Sequence, residues 1–215
     1  TMRRDTVRRA VAWSTLLNRY ADTNEAYQAA LYAETVDFRT TGAPLLQLAR
    51  LYARQNDSER ATRTWMQALR DKELVSRQTE IRYRLAEYLT GQRNYGDAEQ
   101  HLRVLLADST AQNWWPATIR LYASLERKRD RESRSRQWEM EFVRRYPSHE
   151  QVPEALWNVG MSWERVRNCR EAVKIYGQLS ERFPTHQLAD EGRWRIGFCA
   201  YRAGLYADAY RQFSR

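Results

Sequence analysis

The sequence predicts an all-α fold, a right-handed α-α superhelix (a solenoid) of about six stacked helical hairpins. Three observations predict it. A small residue recurs at Ala26, Ala61, Ala98, Ser135, Ala172 and Ala209, with one interval of 35 residues and four of 37. Around these positions apolar residues are spaced by three and four, which places them on one face of a 3.6-residue helix. Glycine and proline, at 8 and 5 of 215 residues, are too few for the turns of an all-β chain. A single two-helix unit cannot bury its apolar face alone, so a fixed period implies neighbours that stack.

The expected hairpins span about 7–41, 42–78, 79–115, 116–152, 153–189 and 190–215, as one solenoid over 1–215. Trp13, Ser14 and Leu17 mark the first helix of the first hairpin, and Ala26, Ala30 and Ala33 its second. The second hairpin reads Leu45, Leu48, Ala49 and Tyr52, a turn at Asn56-Asp57, then Ala61, Trp65 and Ala68. The third has Leu85, Ala86 and Leu89, a turn around Asn94, then Ala98, Leu102 and Leu105. The fourth opens on Pro116, whose missing N–H is harmless at a helix start. Ile119, Tyr122, Ala123, Ser135 and Phe142 follow, but Glu126 and Glu139 occupy normally apolar positions beside the charged run 127–132. This hairpin is expected to be the least well packed.

The fifth hairpin is the clearest. Leu156, Val159, Gly160 and Trp163 form one face, Asn168 turns the chain, and Ala172, Tyr176 and Leu179 form the next face before Pro184. Gly160 and Ala172 are expected where the two helices cross, because small side chains let backbones approach. The sixth hairpin carries Ile196, Gly197, Tyr201, Gly204, Tyr206, Ala209 and Phe213, and Arg215 falls inside its expected second helix, so the chain reads as a piece of something longer.

Composition narrows the class further. Charged residues at 29% and apolar residues at 42% describe a globular chain rather than a disordered one. No apolar run reaches the ~18–20 residues of a membrane span. The basic segment 1–5 leads into no signal-peptide core. A net charge of +9 favours acidic partners, or else an arginine-rich solvated surface. Cys169 and Cys199 lie in different repeats without metal or redox spacing and are expected to be core thiols.

The set Leu156, Val159, Gly160, Trp163, Ala172, Tyr176, Leu179 and Pro184 resembles the tetratricopeptide repeat position for position, and Gly197, Gly204, Tyr206, Ala209 and Phe213 match its later part. The usual period is 34 residues. The three extra residues fall in the connectors 148–152 and 185–189. The stretches Arg145-Tyr146-Pro147 with Pro153-Glu154-Ala155-Leu156, and Arg182-Phe183-Pro184 with Ala189-Asp190-Glu191, resemble bacterial cell-envelope repeat proteins, and the segment from Leu188 to Arg202 is most similar to the superhelix of soluble lytic transglycosylases. Such repeat proteins include periplasmic repeat lipoproteins, outer-membrane assembly adaptors and the N-terminal superhelix of soluble lytic transglycosylases. That resemblance implies the periplasm or cell envelope, with the cytoplasm as the alternative.

No enzyme chemistry is legible. The family of lytic transglycosylases carries its acid in a Glu-Ser pair before a Gly-rich segment ending in Gln; Glu132-Ser133 lies in a charged turn without that sequel. The three histidines are scattered, no cluster has metal-ligand spacing, and nothing calls for a cofactor.

The resemblance implies that the first helix of each hairpin lines a concave groove. The candidate partner-binding residues are then Tyr83, Arg84, Arg120, Trp157, Asn158, Met161, Trp194, Arg195, Phe198 and Arg202. Aromatic and arginine side chains are the usual anchors of such surfaces, although the Trp residues are equally suited to packing between repeats. Arg120, Asn158 and Arg195 also suit an anion, although Ser124 and Glu191 depart from the carboxylate clamp some arrays use. The expected function is a non-enzymatic protein-interaction scaffold for a peptide or partner domain, with acidic character favoured. The first alternative is the superhelical domain of a lytic transglycosylase, positioning peptidoglycan for a catalytic domain beyond Arg215. RNA binding is the second and less favoured alternative, because Trp13, Trp65 and Trp163 already serve the repeat core and the basic residues are spread over every face.

Overall fold

The computed structural model describes residues 11–17, 19–20, 23–36, 38 and 40–214. The basic segment 1–5, the expected start of the first hairpin at Val7 and the expected end of the sixth at Arg215 lie outside the described residues. The described chain is all-α, with helices paired in sequence, and its contacts gather into two compact units, one up to Trp114 and one from Trp115.

The first unit holds α1 (helical at 11–17), α2 (Asn24–Thr35), α3 (Ala43–Arg54), α4 (Ser58–Ala68), α5 (Gln78–Gly91) and α6 (Tyr95–Ala107). Short 3-10 segments, Lys72–Arg77 and Ser109–Trp114, follow α4 and α6. The second unit holds α7 (Trp115–Lys128), α8 (Glu132–Arg145), α9 (Val152–Arg165), α10 (Cys169–Arg182), α11 (Gln187–Arg202) and α12 (Tyr206–Phe213).

The turns inside the hairpins repeat as strictly as the helices. Thr23, Asp57, Asn94 and Asn168 each accept a hydrogen bond from the N–H three residues on, pairing a donor that a helix start leaves open. Asn56, Arg93, Asp130, Arg167 and Gly204, successively 37 residues apart, all have positive φ, between 57° and 76°. The left-handed turn therefore belongs to the repeat, whatever residue occupies it. Glycine takes that conformation freely, whereas a Cβ costs about 1 kcal/mol there. Arg93→Gly and Arg167→Gly are each expected to raise the unfolding free energy by up to about 1 kcal/mol in a urea titration. No gain from either would show that the surrounding turn already relieves the strain.

All six recurring small residues are buried. In the first unit Leu17, Ala26, Ala30, Leu48, Leu51, Tyr52 and Ala61 form one core cluster. The Tyr52 hydroxyl donates to Glu34 at 2.9 Å and the Tyr27 hydroxyl to Asp57 at 3.0 Å, so the buried Tyr52 ring and the half-buried Tyr27 ring both keep their polar tips paired.

The α7–α8 hairpin overturns the expectation of loose packing. Ile119, Leu125 and Phe142 are fully buried, and Glu126 and Glu139 are 1% and 2% exposed. Isolated buried carboxylates would be prohibitive. Here the charged run folds back onto them: Glu139 pairs with Arg120 and with Arg127 at 3.5 Å, and Glu126 faces Arg129 at 3.7 Å and Arg131 at 3.8 Å. The arginines that resembled a solvated turn are the counter-charges of the core.

Candidate functional site

Of the candidate groove residues, Tyr83 and Arg84 lie in the first unit, on α5. Tyr83 is half-buried against Trp114, with ring centroids 5.1 Å apart. Arg84 is exposed and pairs with Glu87 at 2.9 Å. The other eight lie in the second unit on its first helices: Arg120 on α7, Trp157, Asn158 and Met161 on α9, and Trp194, Arg195, Phe198 and Arg202 on α11. Helices α9 and α11 contact one another directly, which joins their candidate residues into one face.

Part of that face is already satisfied from within. Glu139, on α8, reaches between α7 and α9, where it accepts from Arg120 and from Asn158 Nδ2 at 3.0 Å. Glu164 accepts from Arg195 Nη1 at 3.2 Å and from the Tyr176 hydroxyl at 2.9 Å. The expected anion site of Arg120, Asn158 and Arg195 is thus corrected, because the chain supplies its own carboxylates to all three. Burial pushes Glu139 above the usual carboxylate range, outweighing the opposing pull of Arg120, Asn158 and Arg127. Burial, reinforced by the Glu164 charge, pushes the Tyr176 hydroxyl well above its ordinary value.

The rest of the face is aromatic. Trp157 is half-buried, tilted on Tyr176 at 5.5 Å, and packed on the cluster of Ala172, Tyr176 and Cys199. Its main work is packing. Trp194 is 49% exposed and stacks on Phe198 with centroids 5.3 Å apart and planes 9° from parallel. The Arg195 guanidinium bridges the two tryptophans, 5.9 Å from the Trp157 centroid and 5.4 Å from that of Trp194. Arg202, exposed, sits 5.8 Å from the Phe198 ring, and Met161 is half-buried on α9. Glu164 holds Arg195, and Arg195 in turn presents a flat cationic surface to the rings.

Spacing alone did not bring Glu139, Glu164, Tyr176 or Phe213 into this site. Phe213, from α12, tilts onto Trp194 at 6.2 Å. The one visible signal was a glutamate at position 139 of a repeat that otherwise places an apolar residue there. The Glu132-Ser133 pair has a structural explanation as well. Glu132 accepts from Arg165 and from Ser162, which also takes a 2.8 Å bond from Arg136, so it joins α8 to α9. Among the described residues no group of three His, Cys, Asp or Glu side chains is placed to hold a metal ion, and no helix is long and apolar enough to cross a membrane.

Residues 154–186, most of the α9–α10 hairpin, match the family model of the tetratricopeptide repeat. No curated protein matches the sequence of the chain. Among solved structures, the apo form of RapI is similar with a TM-score of 0.67 at 12% identity, covering 89% of this chain and 57% of RapI. The chain thus spans little more than half of that relative. PilW, described as a type IV pilus biogenesis factor, is similar with a TM-score of 0.59 at 17% identity, covering 94% of this chain and 90% of PilW. YrrB, described as having an unusual peptide-binding site, gives 0.52 at 16% identity, covering 85% and 89%. At such identities these likenesses concern the fold. Paired helices at a 37-residue period, with one hairpin matching the repeat's own model, give this chain a fold like that of tetratricopeptide-repeat proteins.

Proposed function

We propose that the chain is a non-catalytic scaffold that binds an extended, acidic protein segment on the α9–α11 face. The observation that carries this reading is the open part of the aromatic–guanidinium ladder. Trp194, Phe198 and Arg202 are left accessible to a partner, while Trp157, Glu164 and Arg195 are anchored in the unit beneath them. A half-exposed Trp stacked on a second ring buries a large area on contact at low entropic cost. The net charge of +9 favours an acidic partner through faster encounter. The likeness in fold to YrrB, a protein with a peptide-binding site, supports the same class of activity.

The test is a peptide display library panned on the chain. Acidic peptides with at least one apolar anchor are expected to be enriched. Trp194→Ala is expected to weaken their binding about tenfold or more without lowering the melting temperature. Equal binding by that variant would remove the face from the site. A parallel titration with single-stranded RNA across a salt series serves as the competing readout; salt-dependent RNA affinity lost in Trp194→Ala would replace the peptide reading.

For location, we propose the bacterial cell envelope. The envelope-type stretches around Arg145-Tyr146-Pro147 and Arg182-Phe183-Pro184 support it, as does the likeness in fold to a pilus biogenesis factor. Fractionation of the native protein tests it: release with the envelope on spheroplasting is expected, and recovery wholly with the cytosol would overturn it.

A further inference from the structure

Cys169 and Cys199 are 30 residues apart and are the only cysteines in the chain. Cys169 is the first residue of α10 and half-buried; Cys199, near the end of α11, is 2% exposed. The short connector 183–186 turns α11 back along α10, so the start of one helix meets the end of the other. Both residues pack in the cluster around Ala172 and Tyr176, and both line one recess of about 650 Å³ with Val173, Ile196 and Ala200.

We propose that Cys169 and Cys199 form a dithiol–disulfide site that is oxidised by exchange with a low-mass disulfide and ties α10 to α11 across two consecutive hairpins. This goes beyond the binding reading and does not depend on it. The recess gives a small reagent access to the half-buried sulfur. In the first step the Cys169 thiol loses its proton, and its sulfur attacks the reagent disulfide. That forms a mixed disulfide and releases one low-mass thiol. In the second step the Cys199 thiolate attacks the Cys169 sulfur, forms the internal bond and releases the second low-mass thiol. The protein loses two electrons and two protons, and the reagent gains both.

Burial, together with the neighbouring Cys169, pushes the Cys199 thiol up to about 12. The second step is therefore the slow one near neutral pH. Its rate should climb about tenfold per pH unit while the thiolate fraction is small.

The chain is equilibrated in a series of oxidised and reduced glutathione, quenched in acid and weighed by mass spectrometry. A monomeric species 2 Da lighter is expected, with a cross-linked peptide joining the two cysteines. The mixed disulfide on Cys169 should appear first at pH 7 and resolve faster as pH rises. Cys199→Ser should stop at the mixed disulfide, and Cys169→Ser should form no internal bond. Internal oxidation of the folded chain should be favoured at least about tenfold over the chain in urea, where only the flexible 30-residue spacing brings the thiols together. Three results would each overturn the proposal: no advantage of the folded chain, a mixed disulfide that never resolves, or dimers in place of the internal bond.

Discussion

Gly160→Ala is expected to destabilise the chain by about 2–3 kcal/mol, the largest loss of any single methyl addition in the α9–α10 hairpin. A Cβ built on Gly160 would lie 2.8 Å from Cδ1 and Cζ of Tyr176 and closer still to Cε1. The ring has nowhere to retreat. Tyr176 is fully buried, its hydroxyl is held by Glu164, and Trp157 leans on its face. The helix propensity of alanine returns at most about 1 kcal/mol, so the clash wins. Gly197 supplies the internal control. A Cβ there would lie 2.6 Å from Cε1 of Phe213, which looks as severe. But Phe213 ends α12 and is 49% exposed, so its ring can swing into solvent. Gly197→Ala is expected to change stability by less than about 0.5 kcal/mol. Urea denaturation of both variants is the measurement. Equal losses would mean that distance to the nearest ring atom, and not the freedom of that ring, sets the cost.

Glu139→Ala is expected to lose about 2 kcal/mol, and Glu139→Gln less than about 1 kcal/mol. The alanine variant leaves a void between α7, α8 and α9 and strips Arg120 and Asn158 of their common acceptor. The glutamine variant keeps the volume and one acceptor oxygen for Asn158, and replaces the charge and the oxygen that accepts from Arg120 with an NH2 group. Burial raises the Glu139 pKa in the folded state above its unfolded value, so the folded chain binds this proton more tightly than the unfolded chain. The resulting stability is fully present below the unfolded pKa and is lost as pH rises through the folded pKa. The stability of the wild-type chain minus that of Glu139→Gln should therefore fall as pH rises across this window. A difference that instead grows with pH would show that Arg120 and Arg127 outweigh burial, making the ionised form the favoured one.

These two residues mark how far the sequence could be read. Gly160 was legible: a glycine on the apolar face of a helical period announces a close approach. The expected neighbour was Ala172, however, and the space is filled by the Tyr176 ring, which the list of small residues could not reveal. Glu139 was visible only as an anomaly, and the expectation drawn from it, a poorly packed hairpin, was the wrong way round. Sequence periodicity shows which face a residue occupies. It does not show that an arginine one helix away and another twelve positions back will converge on it.

The sequence by itself determined the class, the period, the helix pairs and the buried small residues. These depend on contacts that recur at fixed separations along the chain, and every copy of the repeat restates them. The tertiary structure decided what the face of the second unit can offer a partner. It spent Arg120, Asn158 and Arg195 on internal carboxylates, set Trp157 into the packing, left Trp194 open, and brought two distant thiols together. Those outcomes turn on charge pairs and ring contacts between neighbouring helices, where one substitution per repeat changes the partner while leaving the period untouched.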